Sequence, residues 1–265
     1  MMETMAAKPR PAGESEAPSV CYNLSTFNDM YEKHASSKVA CSTCTMHRQA
    51  ICSSLTAADR DVFGRYVRLR PVKGGQSVYR EFEEAKYIFT IVTGEIRLAN
   101  LLDDGRRQVT AFKSAGEIIG EHSGGYYQSD AEAVCDTIVC QIPIKVMDSY
   151  VDGIPAMRDA LMDMIRKELS DLRQHAILLG RKTPIEKIAT FLINRASQQR
   201  SDEGETLEVI LPMGRSDIAD YLGLTIETVS RTITKLKNLG VITVPSTHSI
   251  RITNRSALEL LAEGE

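Results

Sequence analysis

The stretch Arg215-Ser216-Asp217-Ile218-Ala219-Asp220-Tyr221-Leu222-Gly223-Leu224-Thr225-Ile226-Glu227-Thr228-Val229-Ser230-Arg231 has the periodicity of two short helices broken by a glycine. Ile218, Ala219 and Leu222 give the first helix an apolar face, Gly223 makes the tight turn, and Leu224 and Val229 pack the second helix against the first. Thr225 is placed to cap the second helix, with Thr228 where a capping box would have Glu or Gln. The face left over carries Thr225, Glu227, Thr228, Ser230, Arg231 and Lys235, side chains that can hydrogen-bond to base edges or phosphates in a major groove. Any solvated helix has a polar face, and it is the turn pattern that favours double-stranded DNA as the partner. Residues 241–244 and 249–253 alternate like a hairpin, so the expected unit is a winged helix-turn-helix.

Working back from this unit, residues 207–211 read as a strand and 201–205 as a polar loop. Pro184 opens a helix through Ile185, Ile188, Ala189, Leu192 and Ile193, while Gly180 reads as the C-cap of the helix before it, making 180–184 a candidate hinge. Over residues 154–179 apolar side chains recur at helical spacing: Ile154, Met157, Leu161, Met164, Ile165, Leu169, Leu172, Ala176 and Leu179. A stripe of about seven turns can dock on its own domain, but its length favours pairing with the same helix of a second copy, hence a homodimer. Residues 72–143 hold short β-rich runs at 77–79, 87–92, 95–102, 108–112 and 137–142, separated by glycines, which is the texture of a small sandwich or barrel. Asp104-Gly105 is the clearest hairpin signal among them. A short helix is expected over 55–67.

The chain has 265 residues, 43% of them hydrophobic, which suits two modest cores better than one. Its formal net charge of -3 announces neither a nucleic-acid binder nor a membrane-surface protein, so any basic face has to be local. Apolar runs fall short of the roughly 18 residues a spanning helix needs, and no membrane partner is expected. The first residues are rich in Ala, Pro, Glu and Ser and lack the apolar core of a signal peptide, so they read as a disordered cytoplasmic leader.

Six cysteines occur, at 21, 41, 44, 52, 135 and 140, and without a secretion signal a disulfide framework is disfavoured. Cys41-x2-Cys44-x7-Cys52 places three thiols on one segment where a soft metal centre can collect them, with the fourth ligand from Cys140 or Cys135. Spacing alone does not separate a cluster from zinc, since both accept four thiolates. Redox-active free thiols and inert cysteines are the other readings, and Cys21 is taken as a non-ligand. An enzyme of the thiol oxidoreductase type is disfavoured, because Cys41-x2-Cys44 lacks the strand-to-helix context of that chemistry and no His pairs with a nucleophile.

With these features together, the sequence resembles the CRP/FNR superfamily of regulators, and within it the oxygen-sensing FNR branch with C-x2-C-x7-C spacing. Residues 222–231 look like the family's recognition helix with its E-x-x-S-R residues, and Val139-Cys140-Gln141-Ile142-Pro143 resembles the segment holding its internal cluster cysteine, which favours Cys140. The resemblance implies an α+β fold: a leader at 1–40, a cluster segment and N-terminal antiparallel β-roll (cupin-like) sensor domain at 41–150, a long dimerisation helix at 151–180, and a C-terminal winged helix-turn-helix at 181–265. It further implies a [4Fe-4S] cluster on Cys41, Cys44, Cys52 and Cys140, and a cytoplasmic, non-enzymatic, oxygen-responsive activator whose dimer binds TTGAT-like half-sites. RNA polymerase is the implied protein partner, touched near residues 103–107, a hairpin more basic here than in the family. The other expectation is a regulator of this family answering to zinc, thiol redox or a small ligand. Cyclic nucleotide is disfavoured, since Gly120-Glu121 is kept but Gln128-Ser129-Asp130 offers no Arg for the phosphate.

Overall fold

The computed structural model describes residues 41, 44, 50–199 and 207–264. The expected leader, Cys21 and the 201–205 loop lie outside the described residues.

The β-rich runs form β1 (Arg68–Val72), β2 (Ser77–Tyr79), β3 (Tyr87–Thr93), β4 (Glu95–Leu101), β5 (Arg107–Ser114), β6 (Ile118–Ile119), β7 (His122–Ser123), β8 (Tyr126–Tyr127), β9 (Asp130–Ala133) and β10 (Thr137–Pro143). They build two four-stranded antiparallel sheets, β1-β10-β3-β6 and β2-β9-β4-β5, with β7-β8 as a separate ribbon. The pleat explains the sorting: in β9, Ala131 and Ala133 are buried while Glu132 points outward. Val72, Tyr79, Phe89, Ile91, Ile96, Leu98, Tyr127 and Val139 form the core between the sheets. Tyr79 and Tyr127 stack inside it at 3.9 Å, and their hydroxyls bond to the Gly120 N–H (3.0 Å) and the Tyr87 carbonyl (2.8 Å).

Turn chemistry differs from the sequence reading in one respect. Only Gly105 of the Asp104-Gly105 pair takes a positive φ (84°), while Asp104 uses its carboxylate to accept the Arg106 N–H at 3.0 Å. The predicted helix at 55–67 is shorter, a 3-10 turn at Ile51–Ser54 followed by α1 (Ala57–Phe63), capped by Thr56, which accepts the Asp59 N–H. β1 and β6 to β9, together with α2 (Ile144–Gly153), were not anticipated.

The long helix is α3 (Pro155–Arg181), and Gly180 lies within it rather than capping it. The stop comes from Pro184, which confines Thr183 to extended backbone (φ -68°, ψ 162°), and from the Thr183–Glu186 capping box that starts α4 (Pro184–Gln198). β11 (Leu207–Ile210), α5 (Arg215–Leu222), α6 (Ile226–Asn238), β12 (Ile242–Ser246), β13 (Ser249–Ile252) and an unanticipated α7 (Arg255–Glu263) complete the C-terminal domain, with strand order β11-β13-β12. Ile188, Leu192, Leu211, Ile218, Leu222, Val229, Leu236 and Ile250 form its core. Among the described residues no helix is long and apolar enough to cross a membrane.

Gly94 joins β3 to β4 with φ at 88°, and a Cβ there would sit 2.8 Å from both the Asp136 carbonyl oxygen and the Thr137 Cα. Neither backbone atom can yield cheaply, so Gly94→Ala is expected to destabilise the chain by more than about 1 kcal/mol, read as a lowered midpoint in urea unfolding.

Candidate DNA interface and cysteine site

Gly223 adopts the left-handed conformation (φ 60°, ψ 45°), which lets the Leu224 N–H reach back to the Ala219 carbonyl at 3.0 Å and turns the chain from α5 into α6. The turn has a support that sequence reading missed: Lys187 is buried, and its ammonium donates to the Leu222 carbonyl at 3.0 Å. A lysine on a helical pattern gives no sign of that role. Thr225 caps α6 by accepting the Thr228 N–H at 3.2 Å, and the two hydroxyls lie 3.0 Å apart.

Val229, Ile233 and Leu236 are buried against the domain core, so the opposite face of α6 is free. Thr225, Glu227, Ser230, Arg231 and Lys235 are exposed there and Thr228 is half-buried, so all six predicted DNA-contacting residues lie on this helix or its cap. The Glu227 carboxyl is held below its usual range, first by its own backbone N–H at the helix start, then by the Thr225 hydroxyl and by Arg231. It is therefore an anionic acceptor at neutral pH, one turn from a cationic fork, and this pairing of charges suits base edges that present both amino donors and carbonyl acceptors.

The cysteines occupy the far side of the β-roll. Cys41 is buried in an apolar cluster with Ile51, Leu55, Phe63, Ile142, Met147 and Met157, and Cys52 and Cys140 pack against the same cluster. Cys44 reaches the adjoining cluster of Val92 and Ile138, which Cys140 also touches. Cys140 lies mid-strand on β10, opposite Leu69 of β1 and Thr90 of β3. Cys135 is disulfide-bonded, and Cys21 lies outside the described residues. Cys140 is pushed well above the usual thiol range, by burial first and then by Cys41, Cys44 and Cys52, so the four sulfurs share one electrostatic neighbourhood. Cys52 is raised by burial and by Cys44, and Cys41 is pushed up to about 11 by burial, Cys52 and Cys44. Among the described residues no three ligating side chains are close enough to hold a single metal ion.

Residues 186–261 match the Crp-like helix-turn-helix domain, and residues 69–152 match the cyclic nucleotide-binding domain. The nitrogen fixation regulation protein FixK of Bradyrhizobium diazoefficiens is 37% identical over 77% of this chain and 86% of its own length. The transcriptional activatory protein AadR of Rhodopseudomonas palustris is 36% identical over 83% of this chain and 91% of its own. This chain belongs to the CRP/FNR family of transcription regulators. The solved structure of FixK2 from Bradyrhizobium japonicum superposes with a TM-score of 0.69 at 35% identity, covering 74% of this chain and 96% of FixK2. This CRP/FNR regulator accordingly binds DNA through its helix-turn-helix and is not an enzyme. In its β-roll Tyr79 and Tyr127 stack within the core, and Gln128, where a phosphate would call for Arg, turns its amide to the Tyr126 carbonyl at 2.9 Å.

Burial of Cys41 has a kinetic consequence. With its pKa near 11, only about a thousandth of metal-free Cys41 is thiolate at pH 8, and the thiolate is the nucleophile. Iodoacetamide labelling of metal-free protein, followed by mass spectrometry, is expected to be slow at Cys41 at pH 8 and to accelerate up to about pH 11; a rate already at its plateau near pH 9 would contradict the burial.

Proposed function

We propose that this regulator is an oxygen-responsive activator of the FNR branch, carrying a [4Fe-4S] cluster on Cys41, Cys44, Cys52 and Cys140 and binding DNA as a dimer in the cytoplasm. The observation behind the reading is that four cysteines, three from one segment and one from the middle of β10, meet at two adjoining apolar clusters that Cys140 bridges. A tetrahedral zinc ion needs all its sulfurs about 2.3 Å from one point, and the described residues offer no such group. A four-iron cluster attaches each of its four thiolates to a different iron. When bound, the cluster supplies a centre that oxygen degrades.

The residues around it give the signal a route. The 3-10 turn bearing Cys52, and Cys41 itself, pack in one cluster with Met157, Leu161 and Met164, in the first turns of α3. Tying these cysteines to Cys140 fastens that surface to the central strand of a sheet, and releasing them loosens the seat of α3. Farther along α3, Ile165, Leu169 and Leu172 are each about half exposed (51%, 49% and 48%), an apolar seam suited to the same helix of a second copy. A coupling of about 1–3 kcal/mol between cluster and dimer suffices for a usable switch. The hairpin at 103–107 is the proposed face toward RNA polymerase, where Asp103, Asp104 and Arg106 are exposed at its tip.

On DNA, Arg231 would donate two hydrogen bonds to a guanine, Glu227 accept from a cytosine amino group and Ser230 touch a neighbouring base in TTGAT-like half-sites, with Thr225, Thr228 and Lys235 toward the backbone. Arg231→Ala is expected to cost on the order of 1–3 kcal/mol of discrimination against mutated half-sites with little change in melting temperature, as read by competition binding.

The test of the whole reading is anaerobic purification with iron and acid-labile sulfide assays, then sedimentation and DNA binding before and after air. Four irons and four sulfides per chain are expected, with loss of dimer and of DNA binding together on exposure. Zinc without sulfide would overturn the cluster, and equal dimerisation in both samples would move the control to the break at Lys182 and Thr183.

A further inference from the structure

We propose that Arg97 and Arg107 of the β-roll are positioning residues for DNA recognition, a charged clasp that sets the orientation of α6 by holding α5. The hairpin β4–β5 lies against α5, and its two arginines converge on one carboxylate. Arg97 Nη1 and Arg107 Nη2 donate to Asp217 Oδ1 at 2.7 and 2.6 Å. Arg107 also grips Asp220 Oδ2 through Nε and Nη2 at 3.0 and 2.7 Å, and Gln108 donates to the Asp220 carbonyl at 2.7 Å. The grip is anchored from behind, since Arg97 Nη2 is held by Glu132 of β9 at 2.7 Å.

Three properties make this a positioning device rather than a surface pairing. Asp217 is buried, and its second oxygen accepts the Gly214 N–H at 3.2 Å, so the same carboxylate caps α5 and receives the clasp. A solvent-exposed pair is worth little, but charges shielded from water hold each other strongly and leave no room for a loose arrangement. The forked geometry of Arg107 on Asp220 specifies an angle as well as a distance. Finally, α5 cannot move without α6, because Gly223 joins them and Ile218, Leu222, Val229 and Leu236 share one core.

The clasp is reinforced by two further contacts across the same junction. Glu95 of β4 pairs with Arg195 of α4 at 2.6 Å, with both side chains almost wholly buried, and the Phe112 ring of β5 lies 5.2 Å from the Tyr221 ring of α5. Besides these contacts the helix-turn-helix is joined to α3 by the His175–Tyr221 ring stack at 4.2 Å, by Leu178 in its core and by the extended break at Lys182 and Thr183. A two-fold DNA site requires recognition helices about 34–36 Å apart in fixed orientation. In the clasped arrangement the DNA-facing side of α6 remains exposed, so the clasp holds a conformation able to enter a groove. The inference uses only the DNA binding of the family and holds whatever occupies the cysteine patch.

The test uses full-length protein, a duplex that the parent protein selects from a random pool, and the same duplex cut to one half-site. Arg107→Asp should weaken binding to the full duplex on the order of tenfold and leave the half-site unchanged, because only the two-helix arrangement is lost. The exchange Arg107→Asp with Asp220→Arg should recover most of the affinity, a rescue that general destabilisation would not show. Asp217 is left intact because its loss would uncap α5. Equal weakening on both duplexes with a lowered melting temperature, no weakening at all, or tighter binding by Arg107→Asp would each overturn the proposal.

Discussion

A single helix has to belong to two cores at once. Met157 near the start of α3 is fully buried with Cys41, Ile51 and Leu55, and Leu178 near its end is buried with Ile188 and Leu222 in the C-terminal domain. At 1.5 Å per residue these anchors lie about 30 Å apart. Most of a protein helix's stability comes from packing its apolar face, so α3 relies on both seats and on whatever covers the seam between them. Any change at the cysteine patch therefore acts on an element whose other end is fixed in the DNA-binding domain.

The two ends are fastened by different physics. At the cysteine end the contact is apolar and tolerant, methionine and leucine side chains against a loop, and apolar contact is non-directional. At the DNA end the β-roll grips the C-terminal domain through ion pairs, Arg97 and Arg107 on Asp217 and Asp220 of α5 and Glu95 on Arg195 of α4, with Asp217, Glu95 and Arg195 buried. Desolvated pairs add little net stability when compared with apolar packing, yet they are intolerant of displacement, because a shifted partner leaves a buried charge uncompensated.

The β-roll is held by close backbone packing and by a stack of rings in its core. Gly120 retains its tight approach to β3, where an added Cβ would lie 3.1 Å from backbone atoms of Tyr87 and Ile88. The Tyr79–Tyr127 stack lies in the core, and its hydroxyls satisfy backbone groups of β3 and of the segment after β6.

What was legible from the sequence was whatever short-range pattern records. The helix-turn-helix is written in consecutive residues, because Gly223, Thr225 and the apolar positions around them act within a few residues of one another, and the six predicted DNA-facing residues follow from that register. The strand runs and the α3 stripe were legible for the same reason, though Gly180 misled as a stop where Pro184 dictates it. The cysteine triplet was visible as a spacing, but its meeting with Cys140 depends on β10 lying beside β1 and β3, which no local signal encodes. The clasp was wholly hidden: Arg107 read as an exposed basic residue of a hairpin and Asp217 as a turn of an amphipathic helix, while their pairing spans 110 positions of sequence. Local sequence determines backbone conformation and which face is apolar. Only the tertiary structure decides which distant charges are brought together and stripped of water, because that depends on how two independently folded cores are set against the same helix.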